Sequence, residues 1–403
     1  MKVLGGAVLV LAMVFTMGIS PASAYEPPHG AVFNVPRPWG GTAAKYRIVR
    51  TVERAINKTR PVATDRHPVI LISSFLFDRK QSADALINAR NRHVSVRVIL
   101  DGDVDNRQER RLARVLNRDN VGRLSSNPAS WGRDGSYVKK CRGSCRGGGG
   151  NMHSKFYAFS HTGTTRNVVM VSSSNLNKGG AVAGWNDLYI IKRRPRTFAE
   201  FTKIHQEMVD DVRAGADKVE FVDGPFTSRF FPMDNASKAN DPTLDDLDHI
   251  RCKGGDWGRT QINISMFYWA GKRGTYLAQK LLGLARAGCR VSIIYGAPSK
   301  DIRLLLSKYA RRHLINLYDS RKDLNGNGTY DVRTHGKYVL VKGRYRGDRH
   351  ARVVMTGSQN WVGGSLSKGD EVTLNVKLAS AYHKYVVNWG VIRKHSRRIP
   401  AHG

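Results

Sequence analysis

Two stretches decide the fold: Met152-His153-Ser154-Lys155-Phe156-Tyr157-Ala158-Phe159 and Thr334-His335-Gly336-Lys337-Tyr338-Val339-Leu340-Val341. Each sets an H-x-K triplet at the head of an apolar run of strand composition. Each is followed by a loop, a second apolar run and a polar turn ending in Asn. The runs are Val168-Val169-Met170-Val171 and Val353-Val354-Met355; the turns are Ser172-Ser173-Ser174-Asn175 and Thr356-Gly357-Ser358-Gln359-Asn360. The His-to-Asn intervals are 175 − 153 = 22 and 360 − 335 = 25, so only loop length separates the copies. On a strand, residues two apart share a face, which projects His153 with Lys155 and His335 with Lys337. If the following strand pairs alongside, Asn175 and Asn360 turn back to the same spot, with Ser173 and Ser358 beside them.

The repetition extends upstream. Val69-Ile70-Leu71-Ile72, a helical pattern through Ala83, Leu86 and Ile87, and the run Val94 to Leu100 make one strand-helix-strand unit. Ile262 to Tyr268, then Leu277, Leu281 and Leu284 at helical spacing, then Val291 to Tyr295 make the second. Such units fold as parallel strand pairs with a crossover helix. A helix is expected before each unit, over Ile48 to Asn57 and over Leu244 to Arg251. The segment from Gly215 to Asp245, with Pro225, Pro232 and Pro242, is the expected junction. The reading is therefore an α/β chain of two duplicated mixed-sheet lobes flanked by helices, residues 25–225 and 226–403, sharing one site at their interface.

Two imidazoles, two ammonium groups and two amides facing one another suit a phosphate diester. Lysines and amides neutralise and hydrogen-bond nonbridging oxygens, whose charge grows in the transition state. One imidazole attacks phosphorus while the other protonates the leaving oxygen and later activates water.

These paired segments resemble the HKD signatures of the phospholipase D superfamily, H-x-K-x4-D followed by G-S-x-N, and are most similar to secreted bacterial phospholipase D-like proteins. The resemblance implies a bilobal fold, a phosphohistidine intermediate and no metal or other cofactor. It makes His153 the nucleophile and His335 the general acid, with the reverse assignment left open, and Lys155, Lys337, Asn175 and Asn360 the phosphate ligands. Ser173 and Ser358 support them. Two departures stand out: the motif Asp is replaced by Ser160 and Lys342, and the first turn lacks its leading Gly. An acid that orients an imidazole normally follows the Asn, and Asp187 (187 − 175 = 12) and Glu371 (371 − 360 = 11) fit that role.

The N-terminus reads as an export leader: Lys2, an apolar stretch from Val8 to Met17, and Ala22-Ser23-Ala24 for cleavage after Ala24. The stretch is shorter than the ~20 residues needed to span a bilayer, and no other segment is apolar enough. A secreted monomer is expected. The 403 residues carry a formal net charge of +34, or 34 − 1 = +33 without Lys2, which attracts an anionic membrane surface or nucleic acid without choosing between them. Four cysteines in an exported chain read as two disulfides, and of the three possible pairings Cys141–Cys145 with Cys252–Cys289 is favoured, each within one half of the chain. A zinc site on Cys141, Cys145 and His153 lacks a fourth ligand. The run Gly147 to Gly150 reads as a flexible lead-in to His153, or as a loop whose amides approach a phosphate. Trp185 and Trp361 lie close to the site, either walling the lobe interface or contacting substrate. Arg107 to Arg118 and Arg393 to Arg398 are basic faces, and Asp323 to Asp331 is a polar turn. Three functions follow, in this order: a phospholipase D acting on glycerophospholipid headgroups, a secreted nuclease of the same superfamily, and an inactive polyanion binder.

Overall fold

The β-branched runs form the centres of two mixed sheets. The computed structural model describes residues 25–118 and 135–400; the leader expected over Met1 to Ala24 lies outside them. Strands β1 (Gly30–Phe33), β2 (Val69–Ser74), β3 (Ser95–Asp101), β4 (Tyr137–Cys141), β5 (Phe156–Thr162), β6 (Thr165–Ser172), the short β7 (Gly184–Trp185) and β8 (Asp187–Ile191) belong to the first half. The second half contributes β9 (Val219–Asp223), β10 (Phe226–Phe231), β11 (Ile250–Arg251), β12 (Gln261–Trp269), β13 (Arg290–Pro298), β14 (Asn316–Asp319), β15 (Arg333–Thr334), β16 (Lys337–Tyr345), β17 (Asp348–Gly357), β18 (Glu371–Val376) and β19 (Arg397–Arg398). The first sheet runs β1-β8-β6-β5-β2-β3-β4, and the second contains β14-β13-β12-β16-β17-β18-β10. Read from opposite ends these are the same order. Every neighbour contact also has the same sense: parallel for β2/β3, β3/β4, β12/β13 and β13/β14, antiparallel for the rest. The duplication read from sequence is thus a duplication of topology.

Apolar periodicity explains the layers. Ile48, Val49, Val52, Ala55 and Ile56 bury one face of helix Arg47–Lys58 on the outer side of the first sheet. Leu277, Ala278, Leu281 and Leu282 of helix Gly271–Arg286 do the same on the second. The inner faces share one core, into which helices Pro195–Val209 and Ala379–Lys394 insert Phe201, Ile204, Tyr385 and Trp389. Burying such side chains supplies ~1.5–3 kcal/mol each, which holds the lobes as one unit.

Two local expectations are corrected. The helix expected over Leu244 to Arg251 is Pro242–Asp248, opened by Asp241, whose side chain accepts from Thr243 N at 2.9 Å. Ile250–Arg251 instead joins β16 as a strand. The histidines also precede their strands, because β5 begins at Phe156 and β16 at Lys337. Their leading residues pair across the lobes: Met152 bridges Asp370, and Arg333–Thr334 pairs with Gly184–Trp185. Both expected disulfides are present, Cys141–Cys145 and Cys252–Cys289, so no thiolate remains for zinc. Among the described residues no helix is long and apolar enough to cross a membrane, and no group of acids, His and Cys is placed to hold a metal ion.

Candidate active site

Each H-x-K triplet lies where the start of a central strand meets the end of the strand beside it, β2 for β5 and β12 for β16. That neighbour supplies an aromatic wall: Phe75 lies 5.3 Å from the His153 ring and Phe267 4.5 Å from the His335 ring, centroid to centroid. Each lysine ammonium sits over the same wall, Lys155 at 5.5 Å and Lys337 at 5.1 Å. Each also donates to the carbonyl of its own histidine, at 2.5 and 2.7 Å. The two asparagines are anchored identically. Asn175 Oδ1 accepts from Leu76 N at 3.2 Å and Asn360 Oδ1 from Tyr268 N at 3.3 Å, which turns each Nδ2 away from that backbone as a donor. Phe75 and Phe267 were missed in the sequence reading, although both directly follow or lie within the first strand of a repeat unit.

The histidines have different partners. His153 Nδ1 lies 2.8 Å from Glu371 Oε1, a carboxylate from the opposite lobe, and Ser358 Oγ donates to the other carboxylate oxygen. His335 Nδ1 lies 2.8 Å from Asn186 Oδ1, also held by Ser173 Oγ at 3.2 Å. Asp187, expected at this place, turns into the lobe interface, where Thr356 Oγ1 donates to it at 2.5 Å and Tyr385 Oη at 2.8 Å. Register explains the correction. Ser173 N donates to Asp187 O at 3.1 Å as Ser358 N donates to Val372 O at 2.9 Å, so Asp187 is the counterpart of Val372 and Asn186 that of Glu371. The interval of 11 that leads from Asn360 to Glu371 leads from Asn175 to Asn186 (186 − 175 = 11). The signal was present, but a search for acids passed over the amide.

The half-sites converge electrostatically. Burial pushes His335 well below its ordinary value, and Lys337, Lys155, His153 and Arg333 add to the shift. His153 is also lowered, by burial first and by Lys155 and Lys337, with Glu371 opposing. Burial brings the Lys155 ammonium down to about 7, and Lys337 well below its ordinary value. Burial alone would raise Glu371, but His153, Lys155 and Ser358 hold it below the usual carboxylate range. Two imidazoles and two amines thus share one desolvated pocket, where burial and mutual repulsion favour their neutral forms until an anion offsets both.

The two missing motif aspartates have different substitutes. Ser160 Oγ donates to Asp65 Oδ2 at 2.7 Å, and His161 Nδ1 lies 2.9 Å from the same oxygen, so a carboxylate still occupies that end of β5. Lys342 stacks over Trp257 at 5.1 Å instead. Both positions lie five residues beyond the site lysine, ~17 Å along a strand, outside contact with the histidines. Trp185 and Trp361 are buried: Trp185 stacks on Trp39 and His395, and Trp361 packs edge-on against Trp269.

A family model described as cardiolipin synthase, PLD-like domain, matches residues 65–209 and 258–388, covering both half-sites. The chain belongs to the phospholipase D superfamily. Among solved structures it resembles the phosphatidylserine synthase of Haemophilus influenzae Rd KW20, with a TM-score of 0.54 and 14% identity over 91% of this chain and 87% of that one. It also resembles the polyphosphate kinase of Porphyromonas gingivalis, with a TM-score of 0.55 and 12% identity over 90% of this chain. The alignment spans 46% of the kinase, about half its length. At such identities the likeness concerns the fold. No curated protein matches the sequence.

Proposed function

We propose that this chain is a secreted, metal-independent phosphodiesterase of the phospholipase D type, acting on the headgroup ester of glycerophospholipids through a phosphohistidine. One observation carries the reading: two facing His-Lys-Asn sets, with a carboxylate behind one imidazole and an amide behind the other. When an imidazole Nε2 attacks phosphorus the ring becomes cationic, and a carboxylate at Nδ1 stabilises that charge. Glu371 gives this support to His153, which makes His153 the nucleophile. Asn186 can hold His335 in orientation but cannot compensate a charge. A protonated His335 is therefore a strong acid, suited to giving its proton to the leaving alkoxide. The substrate's anionic phosphate offsets the burial and the cationic repulsion that lower His335 in the free site. Lys155, Lys337 and the two Asn Nδ2 groups take the nonbridging oxygens. Water activated by His335, or an alcohol in its place, then releases the phosphoryl group from His153. The second outcome would make the protein a phosphatidyl transferase.

The lipid substrate is favoured by the family model's description and by the synthase fold relative. A nuclease reading is favoured by the formal net charge of +34, since each neutralised DNA phosphate releases counterions. The test offers the mature protein, in excess EDTA, mixed phosphatidylcholine/phosphatidylglycerol vesicles and, separately, single- and double-stranded DNA, beside His153→Ala and His335→Ala. Phosphatidic acid release lost in both variants supports the lipid enzyme. DNA cleavage with the same dependence replaces it with a nuclease. Salt-sensitive binding without turnover leaves a polyanion binder.

A further inference from the structure

The Cys141–Cys145 disulfide and the run Gly147 to Gly150 have no part in the chemistry above, yet both converge on Asp370, which is 2% exposed and precedes Glu371. The Asp370 carboxylate accepts from Cys145 N at 2.5 Å and Arg146 N at 3.2 Å. Its backbone N–H donates to Asn151 O at 3.0 Å, and its carbonyl accepts from His153 N at 3.0 Å. The next residue, Glu371, holds the His153 ring. Two consecutive residues thus grip both the amide and the imidazole of His153, and the disulfide loop grips the first of them.

The glycines let the loop lie against that grip. A Cβ at Gly147 would stand 2.1 Å from Lys368 O, and at Gly150, with φ +76, 2.9 Å from Gly369 N. Gly147 and Gly150 are therefore close-approach points for Lys368 and Gly369, which lead into Asp370. Burial drives the Asp370 carboxyl up to about 7 against the pull of the Cys145 and Arg146 amides, so the loop is what favours its ionised, accepting form. Among the described residues the other half-site has no such device: the His335 backbone is tied to Trp185 O, and its ring meets the Asn186 amide and the Lys337 amine.

We propose that the Cys141–Cys145 loop is a clamp that fixes His153 against Glu371 through the positioning residue Asp370, so that this half-site is fully ordered only when the disulfide is formed. Opening it by a dithiol takes two electrons and two protons to the two Sγ atoms and leaves the dithiol as its own disulfide. Only the kinetic part of this proposal rests on His153 being the nucleophile.

The test compares wild type, Cys141→Ser/Cys145→Ser, Asp370→Ala and the conservative Asp370→Asn by amide hydrogen exchange and by imidazole ¹⁵N NMR. In wild type His153 should be the Nδ1–H tautomer with a protected amide. In the double-serine and Asp370→Ala proteins His153 amide exchange should rise at least ~10-fold, with mixed tautomers, and Asp370→Asn should lie between. With a chromogenic diester in EDTA, kcat should fall ~10–100-fold and KM stay within about twofold, as expected of a displaced reactive group. Unchanged His153 protection and tautomer in folded double-serine and Asp370→Ala proteins would overturn the clamp. If a variant fails to fold, dithiol treatment of wild type, with the opened thiols mapped by mass, supplies the same two spectroscopic readouts. A wild type without turnover refutes the phosphodiesterase reading alone, because tautomer and exchange still decide the clamp.

Discussion

Replacing Glu371 by Gln tests the division of labour between the histidines. The carboxylate is almost fully buried and lies 2.8 Å from His153 Nδ1, within ~4 Å of the ring's centre of charge. At an effective dielectric of ~20, opposite charges at ~4 Å attract by about 4 kcal/mol. Gln keeps an acceptor for Nδ1–H but loses the charge, so ~2–4 kcal/mol of stabilisation of the phosphorylated ring should disappear. At ~1.36 kcal/mol per decade this is a ~30- to ~1000-fold loss in the rate of phosphoenzyme formation. Rapid-quench trapping with bis(p-nitrophenyl) phosphate, in EDTA, measures that step. Because p-nitrophenolate leaves without a proton, His335→Ala should still form and accumulate phosphohistidine, whereas His153→Ala should form none. A Glu371→Gln enzyme within ~3-fold of wild type, or phosphate trapped on His335, would refute the assignment.

Further outcomes follow from the same geometry. Asn186→Asp places a carboxylate at His335 and should raise its pKa by ~1–3 units, moving the alkaline limb of the kcat/KM profile to higher pH. Because His335 and Lys155 are held below their ordinary values in the free site, binding of inorganic phosphate should take up protons near neutral pH. Calorimetry in buffers of different ionisation enthalpy would detect this, and buffer-independent heats would count against it. Burial pushes Asp246 up, but Arg229, at 2.5 Å, with Asn375 and Tyr345 holds it down to about 2, against 3.8 when exposed. A depressed acid stabilises above its unfolded pKa, so about 2 kcal/mol present above pH ~4 should be lost as pH falls towards 2 in urea titrations. Asp246→Asn at pH 7 should cost less than the ~3–5 kcal/mol of a stranded buried charge, because Arg229 keeps Glu220 at 2.5 Å. Removing Cys252–Cys289, which closes a separation of 37 residues, should cost ~4 kcal/mol in the chain-entropy picture, as read from denaturant midpoints.

The sequence by itself determined the central strands of each sheet, their pairing into two copies and the two His-Lys-Asn sets, and it favoured the disulfide pairing that is present. These features depend on local periodicity and on spacing repeated along the chain, both of which survive in one dimension. It also supplied the right interval for Asn186, but chemistry alone drew attention to Asp187, one residue later. Only tertiary structure decided which side chain meets which imidazole, because those contacts cross between lobes: Glu371 reaches His153 over 218 residues and Asn186 reaches His335 over 149. The same limit hid the work of the disulfide loop and of Asp65, which supplies a carboxylate beside Ser160 from a distant segment. A side chain's partner across an interface is set by the packing of whole sheets. Successive residues along an extended chain face opposite ways, so Asn186 meets the imidazole while Asp187 turns into the interface.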